Sequence, residues 1–216
     1  KPNAKLGLAT GGTPVPIYQK LAQMNQAGEV DFSQVHTVNL DEYCGLPGTH
    51  EQSYRYFMDT NLFNHININK ANTFVASGMG DPEANAAQLE AKVREGGAPD
   101  LQLLGIGHDG HIGFNEPGAA FELGTHCVHL TKETIEANKR FFDNNEDLVP
   151  KEAYTMGIKT IMQARKVLMV ANGVGKADII KKAFFGPVTP EVPASILQMH
   201  PDFTLVLDAE AASKLD

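Results

Sequence analysis

With 216 residues, 42% of them hydrophobic and 20% charged, the chain has a globular composition and enough length to bury a substantial core in one domain. Its formal net charge of −8 argues against a nucleic-acid binder, which draws its affinity from Lys and Arg, but leaves room for a small anion held by two or three cations. No apolar run approaches the roughly 18–20 residues that cross a bilayer, and KPNAKLGLAT lacks the apolar stretch of a signal peptide. The two cysteines, Cys44 and Cys127, are too few and too far apart for a disulfide framework, so a reducing, cytoplasmic setting is expected.

Short, nearly continuous apolar runs predict strands at 6–9, 35–40, 73–77, 101–107, 166–172 and 203–208. Continuous rather than alternating apolarity implies burial on both faces, as in a parallel sheet between helices. Helices are predicted between them, over 14–27, 53–64, 82–95, 131–142, 176–185 and 194–199. This alternation predicts an α/β fold: a single-domain, open, Rossmann-like, mostly parallel sheet with helices on both faces. No repeat, linker or composition shift marks a second domain, so 1–216 reads as one. Residues 118–160 are the least regular, and the polar run 143–147 reads as a loop on an excursion from the core.

Four of the predicted strands end in polar clusters, and parallel strands would bring all four to one rim, where open α/β sheets bind ligands. The first, Gly11-Gly12-Thr13-Pro14, opens a helix. Its glycines let the backbone approach an oxyanion, Thr13 can cap the helix, and Pro14 suits a first turn. The alternative is a tight turn with nothing bound. The second, Gly173-Val174-Gly175-Lys176, lacks nucleotide P-loop spacing, yet a lysine at a helix start is unfavourable unless an anion offsets it. A surface lysine is the competing reading. The third, Asp41-Glu42, can supply a base with a raised pKa or merely a capping or salt-bridged pair, and only one of two neighbours on an extended chain can face a cleft.

The fourth cluster, GHDGHIGFNEP at 107–117, places two histidines and two carboxylates in eleven residues. The spacing of His108 and His111 matches no helical zinc motif, and neither cysteine is near in sequence, which ranks metal binding below proton transfer. Asp109 or Glu116 can orient one ring nitrogen of a histidine and leave the other to pass a proton. A polar turn around a satisfied histidine is the bland alternative.

The segments ATGGTP, NLDEY, GHDGHIGFNEPG, KRFF and GKAD, in this order and spacing, resemble the glucosamine-6-phosphate deaminases of the isomerase/deaminase type across essentially the whole chain. The related 6-phosphogluconolactonases share the Asp-Gly-His core but continue differently from Phe114-Asn115-Glu116-Pro117. The resemblance implies Asp41 as the base that moves a proton between C2 and C1. It implies His111 as the ring-opening group, supported by Asp109 and Glu116. Gly11, Gly12, Thr13, Arg140 and Lys176 would bind the 6-phosphate, with no metal or organic cofactor. The reaction would yield fructose 6-phosphate and ammonia in amino-sugar catabolism. Residues 126–155 would form a mobile lid, and His108 is read as a bystander.

Two departures from the family pattern carry expectations. Allosteric members bind N-acetylglucosamine 6-phosphate through basic residues at positions that correspond here to His126 and Val128, and Val128 cannot hold a phosphate. A non-allosteric monomer or small homo-oligomer is therefore expected. Family members also usually carry a strand and helix ahead of the segment that begins at Leu6, so the sequence reads either as a fragment or as a naturally short form. The alternatives are a 6-phosphogluconolactonase-type hydrolase, which needs no C2 base, and a non-catalytic sugar-phosphate sensor, usually fused to a helix-turn-helix segment.

Overall fold

A computed structural model describes residues 1–215. Nine strands run in chain order: β1 (Lys5–Leu8), β2 (His36–Asn39), β3 (Asp41–Tyr43), β4 (Thr73–Phe74), β5 (Leu101–Leu104), β6 (His126–His129), β7 (Glu152–Thr155), β8 (Val167–Ala171) and β9 (Phe203–Leu207). Six α-helices accompany them: α1 (Val15–Gln26), α2 (Tyr54–Asn61), α3 (Pro82–Arg94), α4 (Lys132–Asn138), α5 (Ile158–Met162) and α6 (Ala177–Phe185). Six strands form one wholly parallel sheet in the order β4-β2-β1-β5-β8-β9. From β1 the chain builds outward one way to β4, and from β5 the other way to β9. The order therefore reverses between β1 and β5, and a crevice opens there at the carboxyl ends.

Helices α2 and α3 start where a side chain satisfies one of their first N–H groups. Ser53 accepts from Tyr56 at 3.0 Å to cap α2, and Asp81 accepts from Ala84 at 3.0 Å to cap α3, with Pro82 in the first turn. The parallel sheet buries its side chains among these helices: Val38, Leu104, Val167 and Met169 are all within 1% of full burial, as are Leu89 of α3 and Ile180 of α6. This core drives the fold, since apolar area removed from water is the dominant favourable contribution.

A second sheet was not anticipated. Strands β3, β7 and β6 form a three-stranded antiparallel ribbon in the order β3-β7-β6. Its sequences, DEY, EAYT and HCVH, carry no continuous apolar run, which explains why 118–160 looked irregular. Leu40 joins the sheets: its N–H bonds to Leu8 O of the large sheet at 3.1 Å, and its carbonyl accepts from Met156 N, just past β7, at 2.8 Å. A separate cluster of Tyr43, Phe114, Leu130, Phe142, Val149 and Ala153 packs under the small sheet.

Other boundaries shift for identifiable reasons. The predicted strand 73–77 shrinks to Thr73–Phe74, an edge strand paired only with β2. The predicted helix 131–142 ends at Asn138 and tightens into a 3₁₀ turn over Lys139–Phe141. Residues 193–199 are 3₁₀ rather than α-helical, and the short helix α5 follows β7 where no element was expected.

Candidate active site

The crevice at the β1–β5 junction is a cleft of about 550 Å³. Its lining includes the loop after β1, Asp41 at the start of β3, the loop after β5, Lys176 before α6, and the segment from Glu133 to Phe142. The four polar strand ends thus converge.

One end of the cleft is built for an anion. Gly11 has φ +92°, a conformation glycine adopts freely, and a Cβ on Gly11 or Gly12 would meet nothing within 4 Å, so the backbone lies open to a ligand. Helix α1 receives no side-chain cap. The expectation that Thr13 caps it is corrected: the Thr13 hydroxyl turns to Asn172 Oδ1 at 3.2 Å, bridging the loop after β1 to the loop after β8. An oxyanion would be met by the backbone of the loop rather than by the helix start, because Pro14 and Pro16 carry no N–H and Val15 N donates to Gly12 O at 3.3 Å. Lys176 is half-buried and donates from Nζ to Ile106 O at 2.6 Å. Burial pulls its pKa below the ordinary lysine value, Asp109 counters this, and Arg140 reinforces it. Arg140 comes from the 3₁₀ turn after α4, its guanidinium lying 4.7 Å from the Phe141 ring centre. Two cations and a bare loop therefore share one region.

Elsewhere along the cleft, Asp41 and Glu42 diverge as neighbours on a strand must. Asp41 lines the cleft, and burial, reinforced by the adjacent Glu42 charge, pushes its pKa up to about 8. Glu42 turns away and accepts from the N–H groups of Tyr43 (2.9 Å), Tyr54 (2.9 Å) and Arg55 (3.0 Å) at the start of α2. Burial raises its pKa to about 7, while those three donors hold it down. Glu42 is therefore a structural anchor, and Asp41 is the carboxylate aimed at the ligand space.

The loop after β5 presents His111 between them. Asp109 Oδ1 lies 2.6 Å from His111 Nδ1 and accepts from the His111 backbone N–H at 3.1 Å. Burial disfavours the Asp109 charge, but His111 outweighs it and leaves the pKa below the ordinary carboxylate value. The imidazole lies flat over Gly107, where a Cβ would come within 2.3 Å of the ring. Gly113, at φ +60°, brings this loop against β7: Phe114 N donates to Thr155 Oγ1 at 3.0 Å, and a Cβ on Gly113 would lie 2.5 Å from that hydroxyl. The same Cβ would lie 3.7 Å from Asp41 Oδ2, so Asp41 faces the loop two residues beyond His111.

Glu116 departs from expectation. Its carboxylate does not support His111 here; it accepts from Thr131 Oγ1 at 3.0 Å and, more closely still, from Thr134 Oγ1. The reason is local: Thr131 caps α4, and the helix start attracts a negative charge. Glu116 thus fastens α4 to the loop after β5, outside the cleft lining. His108, read from sequence as a bystander, does line the cleft, held by Nδ1 to Gly175 O at 3.1 Å. Tyr54, Thr134 and Asn138 also line it and were missed, for they sit in ordinary amphipathic stretches with no local signal. Asn138 is placed by its amide, which donates to Tyr43 Oη at 2.9 Å. Gly107 did carry a signal, as one of three glycines spaced through the histidine cluster.

A parallel α/β sheet with its cleft at the strand-order reversal, lined by cations, carboxylates and histidines, defines an enzyme-like small-molecule site. The family described as glucosamine-6-phosphate isomerases/6-phosphogluconolactonase matches residues 1–206. The chain belongs to this family. The glucosamine-6-phosphate deaminase of Lachnoclostridium phytofermentans is 59% identical over 207 residues, covering 95% of this chain and 87% of its own. A solved monomeric glucosamine-6-phosphate deaminase superposes with a TM-score of 0.95 at 44% identity, covering 99% of this chain and 89% of that one. The 6-phosphogluconolactonase of Thermotoga maritima has the same fold with a TM-score of 0.75 at 21% identity, over 96% of this chain and 85% of that one.

Proposed function

We infer that this chain converts glucosamine 6-phosphate and water to fructose 6-phosphate and ammonia, a deaminating isomerisation in amino-sugar catabolism. The relatives named above support the reaction. The observation that carries it is the buried Asp41 carboxylate facing the His111 loop. A lactonase reaction hydrolyses an ester and has no use for a base at C2.

The phosphate would sit against the N–H groups of Gly11, Gly12 and Thr13, with Lys176 and Arg140 completing the charge. Binding energy there fixes the reacting carbons several bonds away. His111, steadied by Asp109, would pass the proton at the ring oxygen as the pyranose opens to the aldehyde. Asp41 would then remove the C2 proton to give an enolamine and return it to C1. The resulting C2 iminium takes up water and releases ammonia, leaving the ketone. A base whose pKa is raised by burial toward neutral pH suits reversible proton transfer at carbon.

Within this reading, 126–155 forms a cover: α4 and the turn after it supply Thr134, Asn138 and Arg140 to the cleft wall. Val128 packs against the small-sheet cluster, which suits an enzyme without a phosphate-bearing effector at that position. The monomeric relative supports a monomer, and two free thiols suit a reducing cytoplasm. An assay for ammonia and fructose 6-phosphate from glucosamine 6-phosphate tests the function. Both products are expected from the native chain and neither at a comparable rate from Asp41→Asn. Hydrolysis of 6-phosphogluconolactone without ammonia release would overturn it.

A further inference from the structure

Cys44 and Cys127, 83 residues apart in the chain, meet with their Sγ atoms 3.8 Å apart. The small sheet brings them together. Cys44 directly follows β3, its N–H bonded to Glu152 O at 3.0 Å, while Cys127 of β6 pairs with Tyr154 of β7. Glu152 and Tyr154 share one face of β7, opposite to the face of Ala153 and Thr155. On that outer face Glu152 completes a triangle: one donor atom from each of Cys44, Cys127 and Glu152 lies within 4.8 Å of the other two. His129 Nδ1 stands 3.1 Å from Glu152 Oε1. Cys44, His129 and Glu152 open onto a second cleft beside Gly78 and Gly80, separate from the one that contains Asp41. The neighbouring Lys151 is drawn off to the Glu146 carbonyl.

Two chemistries could use paired thiols, and geometry chooses between them. A disulfide needs Cα atoms within about 7 Å and Cβ atoms about 3.8 Å apart. These cysteines flank β7 from opposite sides, and two strand spacings amount to about 9.5 Å. The bond would require the central strand to give way. A tetrahedral zinc ion with bonds of about 2.3 Å instead separates two thiolates by about 3.8 Å, the spacing found here.

We propose that Cys44, Cys127 and Glu152 form a binding site for a thiophilic divalent cation, zinc above all, with water in the fourth position. Zinc binding releases the two thiol protons to solvent, so affinity rises with pH. The bound ion ties the end of β3 to β6 across β7, three residues beyond Asp41.

The test uses the intact chain stripped with a chelator. Titration with zinc against a chromophoric competitor is expected to give one ion per chain and a raised Tm. Cobalt(II) in its place is expected to give a thiolate-to-metal charge-transfer band. Cys44→Ser/Cys127→Ser is expected to weaken zinc binding at least 100-fold and to remove the band, and Glu152→Gln to weaken it roughly 10- to 100-fold. If the double variant folds poorly, zinc protection of both native thiols from alkylation carries the same weight. One zinc per chain retained by the folded double variant would overturn the proposal and assign the ion to other ligands. So would failure of the native chain to bind zinc, or air oxidation to an intramolecular disulfide that leaves no zinc site.

Discussion

Asp109 holds His111 at two points with one oxygen, the ring at 2.6 Å and the backbone N–H at 3.1 Å. Ring and peptide are thereby oriented together. Asp109→Asn preserves the shape but removes the charge facing Nδ1. It is expected to lower kcat about 100-fold, the lower end of the range for general acid–base catalysis, with KM changed less than threefold. Steady-state kinetics on glucosamine 6-phosphate decide it; an unchanged kcat would remove Asp109 from the chemistry.

Gly107 is the bed on which that imidazole lies. Gly107→Ala would place a methyl group about 2.3 Å from ring atoms, so the ring must move. Because misplacement of about 1 Å can cost about 100-fold in rate, kcat is expected to fall by a similar factor. A crystal structure of the variant should find His111 displaced.

The raised pKa of Asp41 couples stability to pH with a definite sign. Unfolded, this carboxyl titrates near 4, while folded it titrates at about 8. Between those values the folded chain holds a proton that the unfolded chain has lost. Asp41 thus lowers stability as pH rises, by about 1.4 kcal/mol per pH unit. Asp41→Asn is expected to lose at least about 100-fold in kcat yet to grow more stable than the native chain as pH climbs from about 4 to 8. Denaturant melts across that range measure the widening gap. A constant gap would mean that Asp41 titrates normally. In the native enzyme the rising limb of kcat/KM against pH should lie above the ordinary carboxylate range.

Lys176 and Arg140 are expected to act through binding. Lys176→Ala and Arg140→Ala should each raise KM by about tenfold or more, and more than Asp41→Asn does, in keeping with the loss of a charge-assisted hydrogen bond. With unphosphorylated glucosamine as substrate the penalty should vanish. A penalty that persists on that substrate would take these residues off the phosphate.

Glu116 offers a test between its sequence role and its position. As a fastener of α4 through Thr131 and Thr134, its loss should loosen the segment that carries Arg140. Glu116→Gln and Thr134→Val are then expected to raise KM alike and to speed proteolysis within 131–150. A fall in kcat from Glu116→Gln, with Thr134→Val unaffected, would return Glu116 to His111.

What the sequence revealed and what it hid follow from how each element is stabilised. The parallel strands announce themselves because each must be apolar on both faces, and their polar ends then mark the rim. The strands of the small sheet are three or four residues long and are stabilised by pairing with distant segments, β3 with β7 across more than a hundred residues of chain, as Asp41 does with Thr155. Such pairing leaves no local pattern. Asp41 was therefore legible as a residue at the end of an apolar run, but not as a member of a strand. Glu116 was legible as conspicuous chemistry, while its partners, two threonines at a helix start, were not. Tyr54 and Asn138 line the cleft only because the chain returns there.

Leu40 has a consequence for how this site can vary. Its N–H belongs to one sheet and its carbonyl to the other, one residue before the base. Any tilt of the ribbon against the main sheet therefore bears on the peptide leading into Asp41, and through the bond from Phe114 N to Thr155 Oγ1 it bears on the loop that carries His111 as well. The spacing of the two proton-handling groups is thus exposed to packing changes behind the ribbon that never touch the sugar.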